Sequence, residues 1–404
     1  MNSHIKHITI MNVHWNNRGD EAALLALIGG IRKVYPNCNI TLPIKDTKTI
    51  VQFPEINGVS YFVGQFKTPI WDIWLSSITR GAIGKNKTLK KIVKTLKESD
   101  LIVNGPGGSV INDRFYWRKQ MEYLLPFICA KLFNIPLYIA APSIGPFDED
   151  KPNWIRKWLL KTPEIMCVRE EISKKYLKDI GIHKNVEVTI DSAFLNDIDI
   201  LINQKKLEKY IKLRKFISSY EKIIGITITD FRWHVKYGKD EGLRENIENA
   251  FHGFIKKLES AGYGVLFIPQ LFGNQNDHDD MNKYSCSNSF IMDDRMDANF
   301  QQFIISQLYA VIGMRYHSNI FSAKMCTPFI PIVYEEKMEG FLNLAQLNEY
   351  SIPLVDISYN AIDEKYNLLE QNYEKIKKLL QKSNPIWKRK AEKTVDHLIS
   401  TIDD

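Results

Sequence analysis

The sequence predicts an α/β protein made of two doubly wound, Rossmann-like domains facing a cleft, with helices closing the chain. Three observations predict it. Short apolar runs alternate with longer amphipathic ones, the pattern of a parallel sheet covered by helices. The alternation comes in two series, parted at 196–222 by a charged, Lys-rich, helix-patterned stretch without a Gly-rich turn. The length, 404 residues, suits two domains of about 100–200 residues each. The expected division is a first domain at 1–200, a helical crossing at 201–222, a second domain at 223–360 and basic C-terminal helices at 361–404.

In order along the chain, 7–13 reads as the first strand, followed by a loop at 14–18 and a helix starting near Asp20. That helix carries Ala22, Ala23, Leu25, Ala26 and Ile28 at mixed three- and four-residue spacing. The run 100–104 is a strand ending in a Gly-rich turn, and 137–141 is another, ending in Pro142-Ser143-Ile144-Gly145-Pro146. Residues 165–168 deliver Arg169 to a helix start, and 186–190 deliver Asp191. The second series reads as strands at 223–229, 264–269, 290–292, 310–313, 330–333 and 352–356. From 361 onward one or two amphipathic helices follow, interrupted by Pro385. Ligands of such sheets sit beyond the carboxyl ends of the strands, so the polar residues there are the first candidates.

Composition narrows the function classes. At 44% hydrophobic and 25% charged residues, the chain is neither a disordered tail, a fibre nor a small stapled scaffold. A formal charge of +7 suits an acidic ligand or an anionic surface. Five scattered cysteines, with no CxxC or CxxH pair, fit small buried hydrophobes in a reducing cytoplasm rather than disulfides or zinc. The first residues lack the apolar core of a signal peptide. The greasiest stretch, 123–147, is broken by Pro126, Lys131, Asn134 and Pro136, so it does not span a bilayer as one helix. No metal site is legible; Asn276-Asp277-His278-Asp279-Asp280 suits a cation but reads better as a solvated loop. The Lys-rich segments 85–97 and 375–393 suit a membrane surface or nucleic acid but read better as solvated helix faces, because aromatic interleaving is sparse and no nucleic-acid motif appears.

Several segments carry chemistry beside a plainer reading. In Asn16-Asn17-Arg18-Gly19-Asp20-Glu21, Gly19 permits close backbone approach and a helix start offers free N–H groups to a ligand; Asp20 and Glu21 equally serve as caps. Gly105-Pro106-Gly107-Gly108-Ser109 follows a strand and suits either a phosphate or a tight turn, and it lacks the Lys-Ser/Thr of a Walker loop. Arg169 suits a bidentate grip on carboxylate or phosphate, or an ion pair with Glu170 or Glu171. The sharpest cluster is Gly313-Met314-Arg315-Tyr316-His317-Ser318, at the carboxyl end of a strand. With a helix expected from Ser318, Arg315 and His317 alternate in an extended segment and share a side, while Tyr316 points away. A fixed cation beside an imidazole suits an anionic substrate with a proton to move; the plain alternative is an Arg paired with an acid and a His capping the helix. Lys337 or Glu335 reaches the same cleft, or belongs to a solvated helix start. Gln270 and Asp191 lie at further strand ends. The aromatic- and Arg-rich stretches 14–18, 66–85 and 231–239, Trp233 included, suit a sugar acceptor, because aromatic faces stack on sugar rings.

Taken in order, 17–22, 105–109, 143–147, 168–173, Asp191-Ser192 and above all 313–340 resemble the polysaccharide pyruvyl transferase family. In the last block, Gly-Met-Arg-Tyr-His is followed by Phe321-Ser322-Ala323, Thr327-Pro328, Tyr334, Lys337, Gly340 and Phe341. The resemblance implies a GT-B-like fold and transfer of the enolpyruvyl group of phosphoenolpyruvate (PEP) to a sugar of a cell-surface polysaccharide, releasing phosphate. It associates Arg169, Arg315 and His317 with PEP. Tyr316 is a departure, since the family often has Leu between the Arg and the His; an inward Tyr side chain would narrow the pocket. Gly107, Gly108, Ser109, Tyr316 and Lys337 join the expected donor site. Asn17, Asp20, Glu21, Trp233 and Gln270 form the expected acceptor side. Catalysis is expected of His317 and Arg315, with Asp20, Glu21 and Asp191 as candidates for a second acid or base. PEP is then the donor substrate and no cofactor is required. A lipid-linked acceptor would give the basic C-terminal helices a use at the inner membrane face of a cytoplasmic enzyme. Two other functions suit the same architecture: a nucleotide-sugar glycosyltransferase and a catalytically silent glycan-binding protein.

Overall fold

Strands buried on both faces read as near-continuous apolar runs, and such runs build the central strands of both sheets of this protein. The computed structural model describes residues 5–44, 55–108, 111–148, 153–183, 185–234, 236–273, 276–293 and 296–403, apart from the side chains of 233 and 401–403. The chain divides into two compact units. The first comprises Met1–Asn16, Asp20–Asn196 and Lys388–Asp404; the second comprises Asn17–Gly19 and Asp197–Trp387.

The first unit holds β1 (His7–Met11), β2 (Asn39–Ile44), β3 (Val59–Val63), β4 (Leu101–Asn104), β5 (Leu137–Ala140), β6 (Met166–Val168) and β7 (Val186–Val188). They form one sheet in the order β3-β2-β1-β4-β5-β6-β7, parallel throughout. The helices are α1 (Arg18–Val34), α2 (Ile70–Ile78), α3 (Lys87–Lys97), α4 (Trp117–Tyr123), α5 (Leu125–Phe133), α6 (Trp154–Leu160) and α7 (Glu171–Asp179). Ile73, Leu89, Ile92, Leu96, Phe127 and Ile128 fill one core, from α2, α3 and α5. Leu24, Leu27, Ile28, Ile31 and Leu398 fill another, against Ile8, Ile10 and Ile40. The sequence reading passes over β2 and β3. β2 contains Pro43, and β3 is a five-residue, mostly exposed edge strand interrupted by Ser60.

The second unit holds β8 (Ile223–Thr227), β9 (Gly264–Phe267), β10 (Ser289–Ile291), β11 (Ala310–Gly313), β12 (Phe329–Val333) and β13 (Ile352–Pro353). Their order is β10-β9-β8-β11-β12-β13, again parallel. Around them lie α8 (Ile200–Lys209), α9 (Ile211–Ser219), α10 (Glu241–Ser260), α11 (Asp277–Met281), α12 (Ala298–Ile305), α13 (Tyr316–Lys324), α14 (Glu336–Ala345), α15 (Tyr359–Gln371) and α16 (Tyr373–Asp403). The expected crossing at 201–222 is part of this unit: α8 packs on α12, and α9 on β9.

Helix α16 departs from expectation by running unbroken through Pro385. A proline inside a helix costs about 3 kcal/mol, and buried Leu380, Trp387 and Ala391 on either side hold the helix against that cost. Its residues from Lys388 count with the first unit, where the Tyr138 hydroxyl donates to the Thr394 carbonyl. Among the described residues, no helix is long and apolar enough to cross a membrane, and no group of three or more His, Cys, Asp or Glu is arranged to hold a metal ion. Strand order reverses between β1 and β4 in one sheet and between β8 and β11 in the other, the places where such sheets take ligands.

Candidate active site

In the second unit β8 and β11 lie side by side, with Gly313 opposite Thr227. Past Gly313 the Met314 N–H donates to the Thr227 carbonyl (3.1 Å), and the Arg315 N–H donates to Thr227 Oγ1 (3.2 Å). The Ser318 hydroxyl donates to the Arg315 carbonyl at 2.6 Å. These bonds pin the backbone of Arg315 at the head of α13, which begins at Tyr316, two residues before the expected start. Arg315 and His317 are therefore related by a helical first turn and not by strand alternation, a correction to the sequence reading.

The Arg315 guanidinium is held by Asp277, Nε to Oδ2 at 3.0 Å and Nη2 to Oδ1. Asp277 Oδ2 also accepts the Gln270 and Leu271 N–H groups, each at 3.0 Å. Burial works against the charge of Arg315, but the Asp277 carboxylate more than offsets it, so its pKa moves up. Burial and Glu335 push the Tyr334 phenol up, against the opposing pull of Arg315, so it keeps its proton. The expected solvated loop at 276–280 is thus corrected: Asp277 is buried and orients the arginine.

His317 is 7% exposed, with the Tyr316 ring centroid 5.0 Å away. In the same unit, Asn17 bridges Leu271 in antiparallel fashion, and the Arg18 N–H donates to the Gln270 carbonyl at 2.9 Å. A Cβ on Gly19 would fall 1.7 Å from His317 Cγ, so only glycine fits against this ring. Lys337 pairs with Glu335 at 2.5 Å and lies 5.6 Å from the Tyr316 ring. Tyr316 itself packs edge-on against Phe341 and is 6% exposed.

Sequence reasoning missed His234, although it lies within the stretch 231–239. Its Nδ1 accepts the Lys236 and Tyr237 N–H groups (3.2 and 3.3 Å), which leaves the proton of the neutral ring on Nε2, 3.9 Å from Glu335 Oε1. Its ring meets Tyr334 edge-on at 6.0 Å. Arg315, Tyr334, His234, Glu335, Lys337, Tyr316 and His317 thereby form one chain of contacts beyond the strand ends.

Other expected residues take different parts. Gln270 is 1% exposed and its amide donates to Gln301 Oε1 (2.7 Å), so its side chain is framework rather than an acceptor contact. Asn17 Oδ1 accepts the Gly19 N–H at 2.9 Å. Trp233 ends a short 3-10 turn; its side chain, like Ser109, lies outside the described residues.

In the first unit Arg169 follows β6 and is buried among three partners. Nη1 donates to Asp191 Oδ2 (2.6 Å), Nε to Ser143 Oγ (2.8 Å), and Glu170 Oε2 stands 3.4 Å from Nε. Asp191 Oδ1 accepts the Ala193 N–H at 2.9 Å. With both oxygens engaged, Asp191 is the counterion of Arg169 and not the free acid or base the sequence suggests. Gly107 adopts φ +145°, and a Cβ there would lie 3.2 Å from Asp20 Oδ1. A carboxylate, rather than open space for a phosphate, therefore faces Gly107, while Gly108 has nothing within 4 Å of its Cβ position. Asp20 and Glu21 are both buried in the first turn of α1.

The amylovoran biosynthesis protein AmsJ of Erwinia amylovora is 24% identical over 376 residues, covering 85% of this chain and 87% of that protein. Among solved structures, the UDP-GlcNAc 2-epimerase of Neisseria meningitidis bound to UDP-GlcNAc has a TM-score of 0.63 at 15% identity, covering 98% of this chain and 99% of that one. Anabaena Alr3699/HepE in complex with UDP and glucose has a TM-score of 0.57 at 13% identity, covering 99% and 100%. At such identities the likeness speaks for the fold, which is GT-B-like. The polysaccharide pyruvyl transferase profile matches residues 17–336, a span that takes in Arg169, Asp191, Asp277, Arg315 and His317, and this chain belongs to that family.

Proposed function

We propose that the chain transfers the enolpyruvyl group of PEP to two hydroxyls of a sugar in a cell-surface polysaccharide or its precursor, as a pyruvate ketal. C3 of the enol takes a proton, one sugar hydroxyl adds to C2, the C2–O bond to phosphate breaks, and the second hydroxyl closes the ring. The two hydroxyl protons balance the one gained at C3 and the one carried off by hydrogen phosphate.

The observation that carries this reading is the pair Arg315 and His317 at the head of α13, beyond β11, where the strand order of the second sheet reverses. Because Asp277 neutralises Arg315 and Glu335 pairs with Lys337, the pull on an anion comes from the oriented guanidinium and ammonium dipoles together with the first-turn N–H groups of α13. His317 moves the proton. His234, oriented by its backbone donors toward Glu335, serves as the second acid or base ahead of Asp20 or Glu21. A donor-binding part for Arg169, with Gly107 and Gly108, rests on the family resemblance alone.

The test is phosphate release from PEP across a panel of diol-bearing sugars. Wild type is expected to release phosphate with at least one of them. His317→Ala should lower turnover by roughly 10²–10⁴ while circular dichroism stays unchanged. Wild-type turnover in that variant removes the proton-carrying role, and silence of the wild type across the panel counts against pyruvyl transfer.

A further inference from the structure

The formal charge of the chain, +7, is not spread over it. Residues 67–97 alone hold eight Lys or Arg against a single acid, Asp72, which is the same +7, so the remainder is balanced. Asp72 is buried and turned inward, accepting the Thr68 hydroxyl (2.5 Å) and the N–H of Lys85 (2.8 Å) and of Asn86 (3.2 Å). Helix α3 buries Leu89, Ile92, Val93 and Leu96 and carries Lys87, Lys90, Lys91, Lys94 and Lys97 with no acid among its residues. Lysines three and four apart repel one another and weaken a helix, and Glu98 at the C-terminal end is the one acid lining this face, so a further anion beside it lowers its energy.

The same surface is greasy. Trp71 is 49% exposed, Ile78 64% and Ile83 58%. They belong to α2 and to the turn that joins it to α3. That turn lies on the lysines: a Cβ at Gly81 would touch the Lys90 carbonyl and Lys94 Cγ, and Lys85 Nζ sits 5.3 Å from the Trp71 ring centroid. Exposed aliphatic and indole side chains beside flexible lysines match an interface in which apolar groups enter the acyl boundary and ammonium groups meet headgroup phosphates. Nucleic acid would answer the charge and leave Ile78 and Ile83 without a use.

We propose that α2, α3 and the turn between them dock the protein on the surface of an anionic phospholipid bilayer, with Trp71, Ile78 and Ile83 inserted and the α3 lysines on the headgroups. This places membrane contact in the first unit, rather than on the C-terminal helices where a lipid-linked acceptor would have put it. It does not depend on which reaction the chain performs.

The full chain is sedimented with phosphatidylcholine vesicles, with and without phosphatidylglycerol, at about 0.1 M salt. Binding is expected only when phosphatidylglycerol is present, and it should fall as salt rises. Lys87→Gln/Lys90→Gln/Lys91→Gln/Lys94→Gln and, separately, Trp71→Ser/Ile78→Ser/Ile83→Ser should each weaken partitioning by at least about tenfold, with circular dichroism unchanged. Absence of binding to the phosphatidylglycerol vesicles overturns the proposal. So does wild-type partitioning of both variants, or retention on duplex DNA without vesicle binding.

Discussion

A single methyl group decides the position of His317. Alanine at residue 19 would put its Cβ 1.7 Å from His317 Cγ and 2.4 Å from its Cβ, the stiff root of the side chain rather than its movable tip. Gly19→Ala must therefore displace the imidazole or the backbone that carries residue 19. Overpacking of this kind costs about 1–3 kcal/mol, and under the role proposed for His317 its displacement lowers turnover. The expected outcome is a lower melting temperature and phosphate release reduced about as far as in His317→Ala; an alanine variant with wild-type turnover would detach His317 from the chemistry. Arg315 shows the converse, a cation fixed by an acid that sequence could not nominate. Asp277 lies in an acidic run that looks solvated, and only tertiary packing turns it inward to Arg315 and two backbone N–H groups. Cys129 and Cys167, whose thiols burial pushes up to about 12, behave as the small buried hydrophobes their scatter suggested.

Elements were legible where burial is two-sided. β4, β5, β6, β8, β9 and β11 are continuous apolar runs because helices cover both faces, and the residues just past β4, β6 and β11, Gly105, Arg169 and Arg315, could be found by counting to the strand end. The start of α13 was not legible, because its cap is supplied from a distance. Thr227 of a neighbouring strand takes the Arg315 N–H, and no Ser, Thr, Asp or Asn marks the cap position itself. The α2–α3 turn also relies on a remote group, the Asp72 carboxylate. Burial would raise its pKa, but the Thr68 hydroxyl, the N–H groups of Lys85 and Asn86 and the charge of Lys85 carry it below its ordinary value. A carboxyl lowered in the folded state stabilises the fold above its unfolded pKa, about 3.9, and that stabilisation is lost as pH falls through the lower folded value. Asp72→Asn should thus melt earlier than wild type by a constant margin near neutral pH, with the gap closing below about pH 4. A gap that stays constant down to pH 2 would show that the charge of Asp72 contributes nothing to the turn.

At the scale of the whole molecule, the GT-B-like fold leaves the donor open, because folds of this kind host unrelated chemistries and function must be argued from the site. A nucleotide-sugar donor and PEP make different demands. A nucleotide sugar needs room for a base and a ribose, whereas PEP needs only a compact anion site, the part proposed for Arg315 and the head of α13. Ligand-linked stability separates them without knowledge of the acceptor. A ligand that binds the native state adds about 2.7 kcal/mol of apparent stability at 100 times its Kd, so the bound donor raises the melting temperature as its concentration climbs. PEP is expected to raise it in wild type and to lose most of that effect in Arg315→Gln, while UDP- and GDP-sugars leave it unchanged. A rise with a UDP- or GDP-sugar and none with PEP would assign the site to glycosyl transfer and leave the α2–α3 membrane surface standing on its own evidence.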